Sequence, residues 1–351
     1  MAEPKSNWVD ILVSPDTTLR RAIEVLNSTG KMFLLIADPN QKLLGNLTDG
    51  DLRKGLLKNN DLSLPIHKFM NRDTKTVSPR TNKDAVSLIF DNEDIKAIPI
   101  VNDENIIKGC YFRASFNKNY KLTSDILIMA GGFGTRMGHL TKKLPKPMLE
   151  VQGKPILEHI IVSAKSHGFN KIYLSVHYMP EKIINHFEDG EKFGVEIQYL
   201  YEDKPLGTGG SLQLLPDSDN PVLVTNADIL TNIGFRAVVD YHKLTKAAAT
   251  ISTHQHAIEN PFGVIHADGI RVTKLEEKPV WISNVNAGIY VINREIRDLI
   301  NFGESIDMPL VLQRGIDAGL NVVQYPTHEK LFEIGTLEKY AEILKNPGIS
   351  A

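Results

Sequence analysis

A chain of 351 residues is long enough for two domains, and its 42% hydrophobic and 23% charged content is that of a globular protein. A formal net charge of -2 leaves no global basic field for a nucleic-acid backbone, and no apolar run approaches the ~18–20 residues that span a bilayer. Cys110 is the only cysteine, which excludes an intrachain disulfide and a Cys-based zinc site, and the scattered histidines form no His-Glu-x-x-His pair. The opening MAEPKSNWVD lacks the basic-then-apolar layout of a signal peptide, so a reducing cytoplasm is the expected compartment.

Along the chain the first feature is a repeat. Val13-Ser14-Pro15-Asp16-Thr17 recurs as Val77-Ser78-Pro79-Arg80-Thr81, an offset of 64 residues. The same offset lays Phe33–Ala37 on Ala97–Val101 and Gly45 on Gly109. Two units, at about 6–60 and 66–115, each reading helix–strand–strand, predict one paired α+β module. The polar stretch RASFNKNYKLTS, 113–124, reads as a connector, so the expected domains are 1–120 and 121–351.

Next, Asp125–Ala130 forms an apolar run ending at glycines, the pattern of a buried strand feeding a loop and then a helix. Later apolar runs at Lys171–Val176, Pro221–Thr225 and Ala287–Ile292 alternate with helical stretches at Pro155–His167 and Pro180–Phe187. That alternation predicts an α/β domain with a mostly parallel sheet and helices on both faces.

The glycine stretch AGGFGTRMGHLTKKLPKPM, 130–148, fits neither common phosphate-loop pattern. A dinucleotide fingerprint needs a third glycine where Met137 stands, and no register supplies G-x-x-x-x-G-K-[ST]. A plain structural turn explains the glycines but not the Arg136 and Lys146 that follow them. Lys142 and Lys143 read as exposed bystanders, as does His139.

Two family resemblances rest on these residues. The N-terminal layout resembles a tandem cystathionine-β-synthase (CBS) pair. Its first unit, Gly45-Asn46-Leu47-Thr48-Asp49-Gly50-Asp51, is close to that family's G-x-x-T-x-x-D signature. The resemblance implies that Thr48 and Asp51 hold the ribose of AMP or ATP, since a hydroxyl and a carboxylate both bond sugar hydroxyls. The other reading is that they cap a helix beginning near Leu52. The second unit has Phe112 in place of the Thr and Ser115 in place of the Asp, so any such site is single or lost. CBS pairs often associate face to face, which makes a homodimer the expected assembly.

Residues 125 to 345 resemble the sugar-1-phosphate nucleotidylyltransferases. The likeness is carried by Gly131-Gly132-x-Gly134-Thr135-Arg136-Met137 with Leu144-Pro145-Lys146-Pro147-Met148, and by further landmarks in order. These are Glu202–Gly210, Thr225–Asp228, Pro261–Ile265, Glu276–Pro279, Asn286–Tyr290 and Phe332–Thr336. The resemblance implies a Rossmann-like nucleotidyltransferase domain of the GT-A type that joins a nucleoside triphosphate to a sugar 1-phosphate and releases pyrophosphate. Such in-line transfer asks for backbone N–H donors, fixed cations and a divalent metal.

Each demand has candidates. Ala130, Gly131, Gly132, Gly134 and Thr135 offer amides for phosphate oxygens at the loop and the following helix N-terminus. Arg136 is a donor fork for the leaving pyrophosphate, and Lys146, held between prolines, a stiffly presented charge for the reacting phosphates. Asp228, at a strand end, and Glu333, in place of the Asp more usual in relatives, are the candidate ligands of Mg²⁺. Glu202, Gly207 and Thr208 form the implied base loop; Gly263, Glu277, Lys278 and Asn286 the implied sugar side, with Lys278 on the sugar phosphate.

A carboxylate at Glu202 can accept from both N1–H and the N2 amine of guanine, which favours GTP, although some uridylyltransferases share an acidic residue there. The CBS pair joined to such a domain resembles the glucosamine-1-phosphate guanylyltransferases of bacterial legionaminic acid synthesis. Asp307-Met308-Pro309 fits that subgroup as well. Open alternatives are uridylyl, thymidylyl or mannose-1-phosphate guanylyl specificity, and a non-catalytic sensing or assembly subunit, to which the relaxed positions Ala227 and Glu333 point. A molybdopterin guanylyltransferase shares the glycine loop but gives no reason for Pro145-Lys146-Pro147 or for Glu277-Lys278.

Overall fold

A computed structural model describes residues 8–29, 31–59, 61–92, 95–113, 122–327 and 329–345. The chain falls into two compact units, Met1–Lys121 and Leu122–Ala351.

In the N-terminal unit the sequence repeat is also a repeat of register. Val13 pairs in parallel with Ile36, and Val77 forms the equivalent parallel bridge with Ile100. Phe33–Ala37 pairs antiparallel with Leu43–Thr48, and Ala97–Val101 with Ile107–Phe112. Ile36 faces Gly45 just before an irregularity in one hairpin, and Ile100 faces Gly109 just before one in the other. The helix Leu19–Thr29 buries Leu19, Ala22, Ile23 and Leu26, the i, i+3, i+4, i+7 stripe that pins an amphipathic helix to a core. That core also takes Ala97, Ile107 and Cys110 from the second repeat, so the repeats share it.

The two repeats part at their strand ends. Thr48 donates its hydroxyl to Asp51 Oδ2 at 2.6 Å, and Asp51 Oδ2 also accepts the Thr48 N–H. Thr48 Oγ1 in turn accepts the Asp51 N–H at 3.1 Å. This reciprocal box opens the helix Asp49–Asn59, which starts three residues earlier than Leu52 because Thr48 rather than a later residue caps it. In the second repeat Phe112 stands in that place, with the Lys31 ammonium 4.0 Å from its ring centroid, and Ser115 lies outside the described residues.

The second unit is built on a seven-stranded sheet. In spatial order its strands are Glu196–Tyr201, Lys171–Val176, Ile126–Met129, Val222–Asn226, Val280–Ile292, Ala249–Glu259 and Val322–Thr327. The first four are mutually parallel, Val280–Ile292 runs against both neighbours, and Val322–Thr327 is parallel to Ala249–Glu259. Ile126, Leu127 and Ile128 are all fully buried, as expected of a strand covered on both faces. From Ile126–Met129 the chain winds to Lys171–Val176 and Glu196–Tyr201 on one side, then returns to Val222–Asn226 on the other. The crevice beyond the carboxyl ends of Ile126–Met129 and Val222–Asn226 is therefore a topological switch point.

Two elements differ from expectation. The strand expected at Ala287–Ile292 begins at Val280, because its polar-interrupted first half pairs with Gln255–Glu259 in an exposed two-stranded arm. That arm is tipped by the hairpin of Val264–Asp268 and Arg271–Glu276. The glycine loop does not lead into an α-helix either. A 3₁₀ segment, Thr135–Lys142, follows, broken at Gly138 by φ 57°, ψ −119°.

Candidate active site

The switch-point crevice holds a cavity of about 430 Å³. Its walls include Ala130, Gly131, Gly132, Gly134, Thr135, Arg136, Lys146, Glu202, Gly207, Thr208, Asp228 and Glu333, twelve expected residues drawn from five separate stretches of sequence.

The glycine loop leaves the end of Ile126–Met129, where Ala130 N–H bonds the Ser175 carbonyl at 2.9 Å. Gly134 is the position that requires glycine: its φ is +63°, and a Cβ there would lie 3.0 Å from the Thr141 methyl and 3.1 Å from Lys146 Cβ. Thr141 closes the loop by donating its hydroxyl to the Gly134 carbonyl at 2.9 Å. The close approach at Gly134 brings the Pro145-Lys146-Pro147 turn against the loop.

Lys146 is only 8% exposed, and its ammonium pairs with Asp228 Oδ2. Asp228 follows Val222–Asn226, and its carbonyl accepts the Ile334 N–H at 2.9 Å. Beyond it Ile229–Thr231 pairs with Leu331–Glu333, Ile229 facing Glu333, so backbone bonds hold the two carboxylates' strands together. Asp228 Oδ1 is buried and has no hydrogen-bond partner. An unpartnered carboxylate oxygen beside a second carboxylate on the same cavity is a fitting start for a hard divalent cation. Among the described residues no group of three or more His, Cys, Asp or Glu gathers, so phosphate oxygens and water would complete such a shell.

The Glu202–Thr208 loop is clamped at both ends by carboxylates. Glu202 accepts the Ser175 hydroxyl on Oε1 and the Leu206 N–H at 2.9 Å on Oε2. Asp307 Oδ1 accepts the Thr208 N–H at 3.0 Å and the Thr208 hydroxyl at 3.2 Å, while Thr208 Oγ1 accepts the Met308 N–H at 2.9 Å. Gly207, at φ +76°, packs so closely that a Cβ would lie 2.7 Å from the Ile306 carbonyl. The side chains of Glu202 and Thr208 thus shape the loop as well as line the cavity.

The expected sugar-side residues stand apart from this cavity. Gly263, Glu277 and Lys278 lie on the exposed arm, where Glu277 Oε2 is 3.1 Å from the Cβ position of Gly263. Glu276 is held by Lys274 and His266, which keep its carboxyl below the usual range. Lys278 is exposed and has φ +43°, a left-handed conformation uncommon for a side-chain-bearing residue. Asn286, where the arm meets the sheet, donates to the Tyr290 hydroxyl at 2.7 Å and accepts the Gly288 N–H at 2.9 Å. The arm leaves the sheet past an irregularity between Ile251 and Thr253.

Asn226, Phe133 and Gly335 also line the cavity, and Ser175 clamps Glu202; Asp307, singled out in sequence only as part of Asp307-Met308-Pro309, proves to clamp Thr208. Asn226, Phe133 and Gly335 all lie inside motifs that carry the family resemblance. Ser175 and Asp307 act through contacts 27 and 99 residues apart, for which the sequence carries no local signal.

A parallel-sheet switch point that joins a glycine loop, a buried Lys–Asp pair and a second carboxylate defines a nucleotide-handling α/β protein. The chain belongs to the nucleotidyl transferase family, whose sequence model matches residues 126–346, and a CBS domain matches residues 10–58. It is 38% identical over 184 residues to the mannose-1-phosphate guanyltransferase of Yarrowia lipolytica (strain CLIB 122 / E 150), covering 50% of this chain and 51% of that protein. It is 34% identical over 211 residues to the probable mannose-1-phosphate guanylyltransferase 1 of Oryza sativa subsp. japonica, covering 57% and 58%. The chain thus spans about half the length of the curated relatives it matches.

Among solved structures, the fold matches a putative glucose-1-phosphate thymidylyltransferase from Bacillus anthracis in complex with a sucrose. The TM-score is 0.52 at 21% identity, over 63% of this chain and 94% of that one. HddC from Yersinia pseudotuberculosis complexed with GMP-PN gives a TM-score of 0.50 at 21% identity, over 63% and 98%. At these identities the likeness is one of fold. No helix among the described residues is long and apolar enough to cross a membrane.

Proposed function

We propose that the second unit transfers a nucleotidyl group from a nucleoside triphosphate to a hexose 1-phosphate, giving a nucleotide sugar and pyrophosphate. One observation carries this reading: buried Lys146, paired to an Asp228 whose other oxygen is free, faces the glycine loop and Arg136 across one cavity.

In this reading the amides of Gly131 to Thr135 receive phosphate oxygens and Arg136 takes the leaving pyrophosphate. The acceptor phosphate oxygen attacks the α-phosphorus in line while the bond to the β-phosphate oxygen breaks. Lys146, already desolvated, sits where charge grows in the transition state. Asp228 through Oδ1, together with Glu333, would hold Mg²⁺, which when bound neutralises charge on the α-phosphate. Glu277 and Lys278 on the arm would meet the sugar and its phosphate, with Gly263 and Asn286 shaping the approach.

GTP is the proposed donor, supported by the guanylyltransferase relatives. Glucosamine 1-phosphate is the proposed acceptor, supported by the pairing of a CBS domain with a transferase unit. Mannose 1-phosphate is the second reading, favoured by the names those relatives carry. For the N-terminal unit, which we propose extends over both repeats and forms a homodimer, an adenine nucleotide at Thr48 and Asp51 is the proposed regulator. The hydroxyl and carboxylate keep lone pairs free beyond their mutual bonds.

The test is pyrophosphate release over a matrix of GTP, ATP, UTP and dTTP against glucosamine, mannose and glucose 1-phosphates with Mg²⁺. Turnover confined to one cell or row is expected, greatest with GTP. No turnover anywhere would overturn the enzyme reading. Calorimetry with AMP and ATP tests the N-terminal site, and loss of binding in Asp51→Ala is the expected result.

A further inference from the structure

The proposed chemistry leaves one large side chain of the glycine loop unused. Phe133 stands between Gly132 and Gly134, lines the cavity, and is 47% exposed. Burial in the core is not what holds this ring, so its neighbours are the guide to its role.

The ring is nevertheless fixed in place. It meets the His177 ring edge-on, with centroids 5.5 Å apart at 89°, and the Tyr178 ring at 5.5 Å and 56°. His177 Nδ1 lies 2.7 Å from the Glu202 carbonyl oxygen and donates to it. The Tyr178 hydroxyl donates to the Thr141 carbonyl at 3.0 Å, on the residue whose own hydroxyl closes the glycine loop. Neither neighbouring ring lies parallel to Phe133, so neither occupies it in the stacked arrangement a base would use.

Its position is on the base side of the cavity. A Cβ on Gly131 would lie 2.9 Å from Glu202 Oε1 and 3.4 Å from His177 Cβ, so the ring cluster and the base loop meet at that glycine. The edge-reading capacity of Glu202 is partly spent, since each of its oxygens already accepts one bond from the protein. Edge contacts from Glu202 leave the faces of the base unaddressed, and a braced, half-open aromatic ring supplies a surface for one of them, because every base has a π-face.

We propose that Phe133 is the platform on which the nucleobase stacks, and that its ring favours a purine over a pyrimidine by contact area. This rests on the nucleotide-transfer reading above. It assigns ring size to Phe133 and leaves the choice between guanine and adenine to the hydrogen-bonding groups of the Glu202–Thr208 loop.

The experiment is calorimetric binding of GTP, ATP and UTP to wild type, Phe133→Leu and Phe133→Tyr, with thermal melts run in parallel. Phe133→Leu is expected to weaken GTP and ATP binding alike by about tenfold, and UTP by about threefold or less. Phe133→Tyr, which keeps the ring, is expected to retain wild-type affinities. Equal losses for purines and pyrimidine, no loss at all, or failure of Phe133→Tyr to rescue would each overturn the stacking role. A wild type that binds GTP and releases pyrophosphate while Phe133→Leu binds unchanged sinks this inference alone. A wild type that binds no nucleotide sinks the parent reading with it.

Discussion

The switch-point cavity and the arm that carries Gly263, Glu277 and Lys278 are constructed in opposite ways. Around the cavity Lys146 is tied to Asp228, Glu202 to Ser175 and Thr208 to Asp307, each across 27 or more residues. On the arm the strands pair only with one another, and Phe262, Ile265, Leu275 and Trp281 are all more than half exposed. The cavity walls are thus held in shape by the fold's own bonds. Gly263, Glu277 and Lys278, the proposed sugar side, instead lie on a two-stranded ribbon, an element with little stability of its own.

Changes at the braced end are expected to reach the chemistry hardest. Asp228→Asn keeps the volume but removes the charge that balances Lys146 and faces the proposed cation. Pyrophosphate release should fall by about a hundredfold or more while the far-ultraviolet circular dichroism is unchanged. A loss below threefold would remove Asp228 from the centre of the site.

Gly134→Ala tests whether the loop is truly pre-shaped. The added methyl meets Thr141 and Lys146 at a positive φ, so stability should fall by ~1–2 kcal/mol in urea unfolding, with turnover falling alongside. Gly132→Ala is the contrasting case. Nothing lies within 4 Å of its Cβ position, so stability should hold and any loss should show only in nucleotide affinity. Equal stability losses in the two variants would contradict a loop braced specifically at Gly134.

On the arm the expected effects are smaller and separable. Lys278→Gly relieves a left-handed backbone at φ +43° and should raise stability by up to ~1 kcal/mol. It should raise the KM for the sugar 1-phosphate by about tenfold and leave the KM for the nucleotide unchanged. A matching rise in the nucleotide KM would mean that the arm serves both substrates.

Much of this was legible in the sequence because it was written locally. The 64-residue offset between Val13 and Val77 reappears as equal strand register, since spacing in sequence fixes spacing along paired strands. The run Ile126–Met129, the glycines after it and Asp228 at the end of Val222–Asn226 follow from hydrophobic runs ending in small or acidic residues at strand termini. What was hidden is non-local or conformational. The break at Gly138 replaces a helix by a 3₁₀ turn, a choice of backbone angles that residue type alone does not dictate. The clamp of Asp307 on Thr208 spans 99 residues. Thr48 and Asp51 matched a ligand signature and a capping box equally well in sequence, and the hydrogen bonds show the box.

If the proposed triphosphate half is preformed and independent of the proposed sugar half, Mg²⁺–GTP binds without sugar phosphate. Titrating Mg²⁺–GTP into wild type and Lys278→Gly by calorimetry, with no sugar phosphate present, tests it most directly. One-to-one binding of equal affinity in both proteins is the predicted result. Binding that appears only after sugar phosphate is added, or that disappears in Lys278→Gly, would contradict it.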